Sequence, residues 1–297
     1  MFGGIEAGGT KFICGVGTGP EDLETLQFPT TTPDKTIPSV VEFFARYAGK
    51  GLQSIGIGSF GPVDLQPGSP TFGYITNTPK TAWKNFDLHG SIQSAFQDIP
   101  VGFETDVNVA ALAEARWGGA QGLTDFIYMT IGTGVGGGAM VNGRLVHGLV
   151  HTEMGHLRLP HDRTEDPFDG ICPFHGDCLE GLASGPAMQA RWGKPAHHLP
   201  TDHPAWDIEA TYLAFAVANL TFALSTQRFL LGGGVMQQGH LFTLVREKVA
   251  RILNGYVRHP SVLEHLDEYV IPPKLGNGTG VLGAIALAAL LQEGKTA

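Results

Sequence analysis

The stretch Ile5-Glu-Ala-Gly-Gly-Thr-Lys11, which continues into Phe12-Ile-Cys-Gly-Val16, decides how the fold begins. Apolar residues on both sides of two adjacent glycines are typical of two short strands joined by a tight turn, because glycine adopts turn conformations without steric cost. A second stretch, Thr130-Ile-Gly-Thr-Gly-Val-Gly-Gly-Gly138, follows a predicted strand over 125–131 in the same way. We therefore expect a strand, a glycine turn and a return strand in each half of the chain.

The rest of the chain repeats a strand–loop–helix pattern. Helices are predicted over 37–47, 107–117, 207–226, 241–256 and from Thr279, with Asp207 as the N-cap of the third. Strands are predicted over 52–60, 99–104, 228–231 and 270–273. This alternation predicts an α/β protein of two lobes with an interdomain cleft. The glycines at 118–122 divide a small lobe, 1–118, from a large lobe, 119–279, and the C-terminal helix, about 280–297, is expected to pack back on the small lobe.

Composition narrows the class of protein further. The chain has 297 residues, of which 42% are hydrophobic and 16% charged, so it can bury a sizeable core. Its net charge of −9 argues against nucleic acid or an anionic membrane as the main partner. Three cysteines form no disulfide framework, and neither a signal peptide nor a membrane-spanning run is recognised. We expect a soluble cytoplasmic protein.

The glycine stretches admit more than one interpretation. The spacing Gly132-x-Gly134-x-x-Gly137 matches a dinucleotide fingerprint, but that fingerprint needs a helix directly after it, and Asn142-Gly143 predicts a hairpin instead. The turns at Thr10 and Thr133 are either simple tight turns or cradles in which backbone N–H groups and a hydroxyl hold phosphate oxygens. A third turn, Gly232-Gly-Gly234, is expected to open a helix, where free N–H groups favour a nucleotide.

One carboxylate follows a short predicted strand and precedes an Ala-rich helix. Asp106 is a good N-cap residue in that position. The same carboxylate also suits a general base, because a group-transfer reaction at a hydroxyl needs an acceptor for the hydroxyl proton. A carboxylate at a helix N-terminus stays ionised, which suits a proton acceptor.

A His/Cys-rich segment has the spacing of a metal site. Cys172-x-x-His175-x-x-Cys178 supplies three close ligands, and His156 lies 16 residues upstream of Cys172. Four nitrogen and sulfur ligands suit tetrahedral Zn²⁺, and such a site leaves no position for water, so it is structural. Cys14 lies in an apolar strand and is expected to be simply buried.

Several motifs together resemble the ROK family of sugar kinases. They are Ile5-Glu-Ala-Gly-Gly-Thr-Lys11, Thr130-Ile-Gly-Thr-Gly-Val-Gly-Gly-Gly138, Glu153-Met-Gly-His156 and Leu231-Gly-Gly-Gly-Val235. Two more, Ser59-Phe-Gly-Pro-Val-Asp64 and Cys172-Pro-Phe-His-Gly-Asp-Cys-Leu-Glu180, are similar to those of the bacterial fructokinase branch. The resemblance spans residues 4 to about 285 and implies an actin-like ATPase (ribonuclease H-like) fold whose two lobes close over ATP and a sugar. It also implies a homodimer.

The resemblance also implies an activity and a set of site residues. It implies ATP-dependent phosphorylation of the 6-hydroxyl of a hexose, with D-fructose as the expected substrate and Asp106 as the general base. The residues expected to bind the sugar are Asn77, Thr105, Asp106, Glu153, His156 and Glu180. Those expected to bind ATP and Mg²⁺ are Glu6, Gly8, Gly9, Thr10, Lys11, Gly132, Thr133, Gly134, Pro186, Gly233, Gly234, Val235, Met236 and Gln238. The structural zinc site of the family falls on His156, Cys172, His175 and Cys178.

The chain departs from the family pattern at three of these positions. Glu6 stands where the family more often has Asp, which changes its reach toward Mg²⁺. Thr105 replaces an Asn that could hold a sugar hydroxyl, and His175 replaces a cysteine near the metal. In the loop that begins at Asn77, Trp83 is expected to anchor the loop rather than pack on the sugar.

Three alternative functions remain. The first is a kinase for mannose or glucose on the same machinery, because specificity depends on a few polar contacts. The second is a non-catalytic sugar sensor. The third is a sugar-responsive repressor, which is disfavoured by the negative net charge and by a phosphate turn that begins at residue 6.

Overall fold

A computed structural model describes residues 1–294. The chain divides into two compact units. Unit 1 comprises Met1–Gly122, Arg144–Thr152 and the chain from Lys274 onward, and unit 2 comprises Leu123–Gly143 and Glu153–Pro273. Residues 295–297 of the predicted C-terminal helix lie outside the described residues.

Twelve strands and ten helices are found among the described residues. The strands are β1 Phe2–Ala7, β2 Lys11–Gly17, β3 Glu24–Pro29, β4 Ile55–Ser59, β5 Tyr74–Ile75, β6 Phe86–Asp87, β7 Val101–Thr105, β8 Phe126–Ile131, β9 Val135–Val141, β10 Arg144–Leu145, β11 Arg228–Gly232 and β12 Val270–Ile271. The helices are α1 Pro33–Ala48, α2 Leu88–Ala95, α3 Asp106–Trp117, α4 Leu179–Ala183, α5 Gly185–Trp192, α6 Ala205–Leu224, α7 His240–Leu253, α8 Pro260–Leu263, α9 Leu266–Tyr269 and α10 Thr279–Gln292.

The main sheet of unit 1 has the order β3-β2-β1-β4-β7. The hairpin of β1 and β2 is antiparallel, whereas β1, β4 and β7 are mutually parallel. Strands β1, β2, β4 and β7 are largely buried, as is typical of a sheet that is covered on both faces. The edge strand β3 is exposed.

The strands of unit 2 repeat this topology. They run in the order β9-β8-β11-β12, with an antiparallel hairpin of β8 and β9 followed by parallel β11 and β12. The turn after β9 has positive φ at both Asn142 and Gly143, which a type I′ hairpin turn requires. The sequence predicted this turn correctly.

Glycines of unit 1 allow α10 to lie directly on backbone. A Cβ atom at Gly56 of β4 would lie 2.0 Å from the carbonyl oxygen of Ala284, and one at Gly4 of β1 would lie 2.6 Å from that of Val281. A Cβ atom at Gly283 would lie 1.8 Å from the carbonyl oxygen of Val109 in α3. The chain has 42 glycines among 297 residues, and some of them therefore serve helix packing rather than turns.

Most predicted elements are present with boundaries shifted by a few residues, but two details were wrong. The long helix α6 begins at Ala205 with Pro204 before it, so Asp207 lies inside the first turn and does not cap it. A short 3-10 turn, Val235–Gln237, separates the glycine turn at 232–234 from α7, so that turn does not open a helix directly. Among the described residues, no helix is both long and apolar enough to cross a membrane.

We predict that Gly283→Ala destabilises the protein. The new methyl group would meet the backbone of Val109, which cannot move without displacing α3, and overpacking of this kind costs about 3 kcal/mol. Thermal unfolding should show a melting temperature several degrees below that of the native chain. Gly278→Ala is the matched control, because its Cβ would lie 3.6 Å from the nearest side-chain atom. Equal melting temperatures for the two variants would contradict this account of the packing.

Candidate active site and metal centre

Strand register brings the first group of candidate residues to one edge of the unit 1 sheet. Ala7 pairs with Ser59, and Ser59 pairs with Thr105, so β1, β4 and β7 end side by side. Gly8 follows the first of these strands and Asp106 follows the third. The carboxyl ends of parallel strands are where α/β proteins place their ligands.

The turn between β1 and β2 is closed by its own backbone. The Gly8 N–H donates to the carbonyl oxygen of Lys11 at 3.0 Å, and a Cβ atom at Gly8 would lie 2.7 Å from that oxygen. Thr10 is exposed at the tip. The Lys80 side chain lies over the turn, with its Cε 3.1 Å from the position of a Cβ atom at Gly9. Sequence reasoning missed Lys80, because no local pattern links it to this turn.

Asp106 is the first residue of α3, and the N-cap is its neighbour. The hydroxyl oxygen of Thr105 accepts a hydrogen bond from the Asn108 N–H at 3.1 Å. The expectation that Asp106 is the cap was therefore wrong, because the backbone is already helical at Asp106 and extended at Thr105. Asp106 Oδ1 accepts from the Val107 N–H at 2.8 Å, and the half-buried carboxylate lies at the positive end of the helix dipole.

Glu6 has the features of a cation ligand. Burial raises the pKa of Glu6 to about 6; the positive charge of Lys11 opposes this rise, and the negative charge of Asp106 adds to it. Its Oε2 is buried and has no hydrogen-bond partner among the described residues. A buried carboxylate oxygen without a partner, near a second carboxylate, fits a divalent cation with oxygen ligands such as Mg²⁺.

The loop that carries Asn77 is anchored by its tryptophan. Trp83 is 1% exposed, and its indole N–H donates to the carbonyl oxygen of Thr31 at 2.7 Å. Its ring stacks on Phe12 with 5.3 Å between centroids. The predicted anchoring role of Trp83 is confirmed, while Asn77 is exposed.

In unit 2, three glycine-containing segments that are far apart in sequence meet at the end of β8. The turn after β8 is closed by a bond from the Gly132 N–H to the Gly134 carbonyl oxygen at 2.8 Å. The Gly185 N–H, at the start of α5, donates to the Gly132 carbonyl oxygen at 2.8 Å. Gly233 has a φ of +90°, and a Cβ atom there would lie 2.4 Å from the carbonyl oxygen of Ile131. The sequence identified these segments separately; the structure shows that they form one surface.

Some residues around this surface have exposed side chains, and others have side chains that are buried. Ser184 caps α5 by accepting from the Ala187 N–H at 3.3 Å, and Pro186 is exposed in the first turn of that helix. The side chains of Val235 and Met236 are buried, so only their backbone is available to a nucleotide.

Glu180 also contacts this region. Its Oε2 accepts from the Val135 N–H at 3.0 Å, directly after the turn, and a Cβ atom at Gly134 would lie 2.7 Å from that oxygen. A residue expected to bind the sugar therefore also fixes the backbone of the glycine turn.

Four side chains of unit 2 form a metal-ligand cluster. The candidate ligand atoms of His156, Cys172, His175 and Cys178 all lie within 4.8 Å of one another. Nδ1 of His156 is 3.5 Å from the sulfur of Cys178, and Nδ1 of His175 is 3.6 Å from that of Cys172. Zinc bonds of about 2.3 Å to sulfur and about 2.0 Å to nitrogen imply a separation of about 3.5 Å in a tetrahedron. The donor set and spacing thus fit a closed tetrahedral site.

The backbone of the loop and a set of charged side chains hold the cluster in place. Cys172 and Gly176 exchange two backbone hydrogen bonds, of 3.1 and 2.9 Å. Asp177 pairs with Arg158, which also donates to the carbonyl oxygen of His175 at 3.1 Å. Hydrogen bonds around a metal site orient its ligands. These supporting residues were missed because their partners are close only in the folded loop.

A second group of buried charges ties this loop to α5. His161 is 3.3 Å from Asp177 and 2.8 Å from the carbonyl oxygen of Asp166. Asp166 in turn pairs with Arg191 of α5 at 3.0 Å and accepts from the Tyr212 hydroxyl at 2.6 Å. The metal loop and the helix that starts at the glycine surface are therefore parts of one packed structure.

Comparisons with known proteins agree with this geometry. The model of the ROK family matches residues 2–290. A fructokinase of Pediococcus pentosaceus is 45% identical over 289 residues, covering 97% of each chain. A ROK hexokinase from Thermus thermophilus has a similar structure, with a TM-score of 0.79 and 28% identity over 99% of each chain. A ROK glucokinase from Streptomyces griseus, solved with glucose and AMPPNP, gives a TM-score of 0.72 and 25% identity, covering 97% of this chain and 99% of that one.

The chain belongs to the ROK family. Its fold is the actin-like ATPase fold that the sequence motifs implied, with a hairpin followed by parallel strands in each unit.

We predict that the His/Cys cluster binds one metal ion per chain. The native protein should retain about one equivalent of a transition metal after purification, measured by mass spectrometry of the metal content. Burial raises the pKa of the Cys178 thiol to about 11, so the incoming cation has to displace the thiol proton, which is released to water. Cys178→Ala should lose most of the bound metal, whereas Cys14→Ala, which removes a buried thiol outside the cluster, should keep it. Equal metal content in the two variants would contradict the assignment.

Proposed function

We propose that this protein is a fructokinase, which transfers the γ-phosphoryl group of ATP to the 6-hydroxyl of D-fructose. The observation that carries the proposal is the position of Asp106 at the start of α3, on the same sheet edge as the Gly8 turn and close to Glu6. The substrate is supported by the 45% identity to the Pediococcus fructokinase, against 25% to the Streptomyces glucokinase.

In unit 1, the proposed chemistry takes place at the sheet edge. The Asp106 carboxylate accepts the proton of the sugar hydroxyl as the new O–P bond forms and the bond to the leaving ADP breaks. The helix dipole keeps this carboxylate ionised until the proton arrives. Gly9 and Thr10 offer backbone N–H groups and a hydroxyl to phosphate oxygens, and Lys11 offers a charge. Gly8 shapes this cradle, because its own N–H closes the turn on the Lys11 carbonyl oxygen.

Magnesium and the nucleotide have separate sets of candidate residues. Glu6 would orient Mg²⁺, which neutralises charge on the transferring phosphoryl group. In unit 2, the nucleotide would bind the glycine surface, through Gly132, Thr133, Gly134, Pro186, Gly233, Gly234, Val235, Met236 and Gln238. The exposed backbone of that surface and the first turn of α5 support this part of the proposal.

We also propose that the metal is a structural Zn²⁺. The closed set of two sulfur and two nitrogen ligands supports zinc and leaves no position for reacting water. His156 turns Nδ1 toward the cluster, so its Nε2 is available to a sugar hydroxyl. Glu153 and Glu180 flank the cluster in sequence, and with Asn77 and Thr105 they complete the proposed sugar contacts.

The location and assembly of the protein are further parts of this proposal. Free cysteines in a metal cluster are typical of a reducing compartment, which supports the cytoplasm. The family resemblance supports a homodimer, and sedimentation analysis would give the mass of the assembly.

We predict that the purified protein releases ADP from Mg-ATP with a clear preference for fructose. A coupled assay across fructose, mannose, glucose and N-acetylated hexoses should give the highest kcat/KM with fructose. Turnover that favours mannose or glucose would keep the mechanism and disprove the substrate. Absence of turnover with every sugar would favour a non-catalytic sensor.

We predict that Asp106→Asn lowers kcat at least a hundredfold. An amide of the same shape cannot accept the hydroxyl proton, and general-base catalysis contributes about 10² to 10⁴ in rate. Asp34→Asn is the matched control, because Asp34 also lies in the first turn of a unit 1 helix and is exposed. A variant at Asp106 that retains more than about a tenth of the native kcat would disprove the general-base role.

A further inference from the structure

A buried carboxylate precedes Asp106 by two residues and is saturated with hydrogen bonds. Glu104, in β7, is 3% exposed. Its Oε1 accepts from the Thr105 N–H at 2.8 Å and from the side-chain amide of Asn108 at 2.9 Å. Its Oε2 lies 2.6 Å from Nε2 of His147.

These bonds fix the backbone on both sides of Asp106. Thr105 and Asn108 are the N-cap and the third residue of α3, and they are also joined to each other by the cap bond of 3.1 Å. One oxygen of Glu104 therefore holds both ends of the turn from which the Asp106 side chain projects. A shift of about 1 Å at a reacting group can cost about a hundredfold in rate.

His147 is the partner of the second carboxylate oxygen of Glu104. It lies in the segment Arg144–Thr152, which belongs to unit 1 and ends one residue before Glu153. Gln66 donates to the carbonyl oxygens of Gly148 and Leu149 at 2.7 and 2.9 Å, and so holds the same segment. The hydrogen bond to Glu104 raises the pKa of His147, so the charged imidazolium is favoured there.

The pair is accessible from one side. Glu104 and His147 line a pocket of about 440 Å³ in unit 1, whose walls include Phe72, Phe103 and Leu287. The His147 side chain is 38% exposed. A molecule the size of imidazole can therefore reach the carboxylate when the histidine ring is removed.

We propose that Glu104 is a positioning residue for the general base Asp106, and that His147 holds Glu104 in place through the hydrogen bond to its second carboxylate oxygen. This inference rests on the proposed kinase function. Glu104 touches no reacting atom and acts through the turn that carries Asp106.

The first test compares two substitutions of Glu104. Glu104→Ala leaves the Thr105 N–H and the Asn108 amide without their acceptor, and we expect kcat to fall at least tenfold, with KM for ATP changed less than twofold. Glu104→Gln keeps an acceptor oxygen for the Thr105 N–H and the Asn108 amide, and its NH2 group can donate to the neutral imidazole of His147. This variant should therefore recover kcat to within about threefold of the native value. A kcat for folded Glu104→Ala within threefold of the native value would overturn the proposal.

His89→Ala controls for a general loosening of β7. His89 contacts the carbonyl oxygen of Val101 at 3.0 Å, at the opposite end of the strand from Asp106. We expect this variant to lower the melting temperature while kcat at 25 °C stays within about twofold of the native value. An equal loss of kcat in His89→Ala and Glu104→Ala would show a purely structural effect and overturn the proposal.

The second test is chemical rescue. His147→Ala should lower kcat, and added imidazole should restore it by entering the pocket and donating to Glu104. Imidazole should not restore Glu104→Ala, which lacks the acceptor, or Asp106→Asn, which lacks the base. A loss of kcat in His147→Ala that imidazole does not reverse would overturn the role of His147.

Failure of the proposed function gives a different result from failure of this inference. If the native protein prefers a hexose other than fructose, the same variants are compared with that hexose. If Asp106→Asn loses activity and Glu104→Ala does not, the kinase mechanism survives and the positioning role of Glu104 is disproved.

Discussion

The active edge of unit 1 depends on how closely α10 approaches the sheet. Because Gly4 and Gly56 carry no side chain, the backbone of α10 lies against β1 and β4, and Gly283 brings it against α3. Two helices thus pack on the same parallel strands. Their first turns lie by the strand ends, where a Cβ atom at Gly280 would overlap the Glu6 carboxylate and where Asp106 follows β7. A side chain at Gly4, Gly56 or Gly283 would meet helix backbone, so it would force α10 away from the sheet or from α3.

The two units share one strand topology but carry different residues at the strand ends. Each has a hairpin with a glycine turn, followed by parallel strands that end near that turn. In unit 1 this edge carries carboxylates, Glu6 and Asp106, which suit a cation and a proton. In unit 2 it carries the Gly132 turn, the start of α5 and Gly233, which offer bare backbone. A few residues at the strand ends therefore give one unit a charged edge and the other an edge of exposed backbone.

The sequence correctly predicted the α/β class, both glycine turns and the Asn142-Gly143 hairpin. It also predicted that His156, Cys172, His175 and Cys178 would lie together, because each of these features depends on residues that are close in the chain. Their chemistry is local: glycine permits a turn, and a Cys-x-x-His-x-x-Cys spacing can surround an ion. The N-cap of α3 was predicted one residue too late, at Asp106 instead of Thr105, since both residue types cap helices well and only the backbone angles distinguish them.

What the sequence did not predict depends on long-range contacts. The pairing of Arg191 with Asp166, the Lys80 side chain over Gly9 and the bond between Glu104 and His147 each join residues that are 25 or more positions apart in the numbering. No periodicity or spacing marks such pairs. The local pattern places Glu104 only at the end of a predicted strand. Nothing in that pattern indicates that its side chain turns inward and accepts hydrogen bonds from the start of α3.

Three carboxylates at one sheet edge have different surroundings, and the difference supports the separate roles proposed for them. Glu104 has a donor on each oxygen, and two of its three donors belong to the first residues of α3 and its N-cap, which fits the proposed positioning role. Asp106 has one oxygen on the Val107 N–H and remains half-buried at a helix start, where it can accept a proton. Glu6 has a buried oxygen without a hydrogen-bond partner among the described residues, and the negative charge of Asp106 helps to raise its pKa. A divalent cation bound by Glu6 would supply a partner for its buried oxygen, and it would also offset the electrostatic repulsion between Glu6 and Asp106.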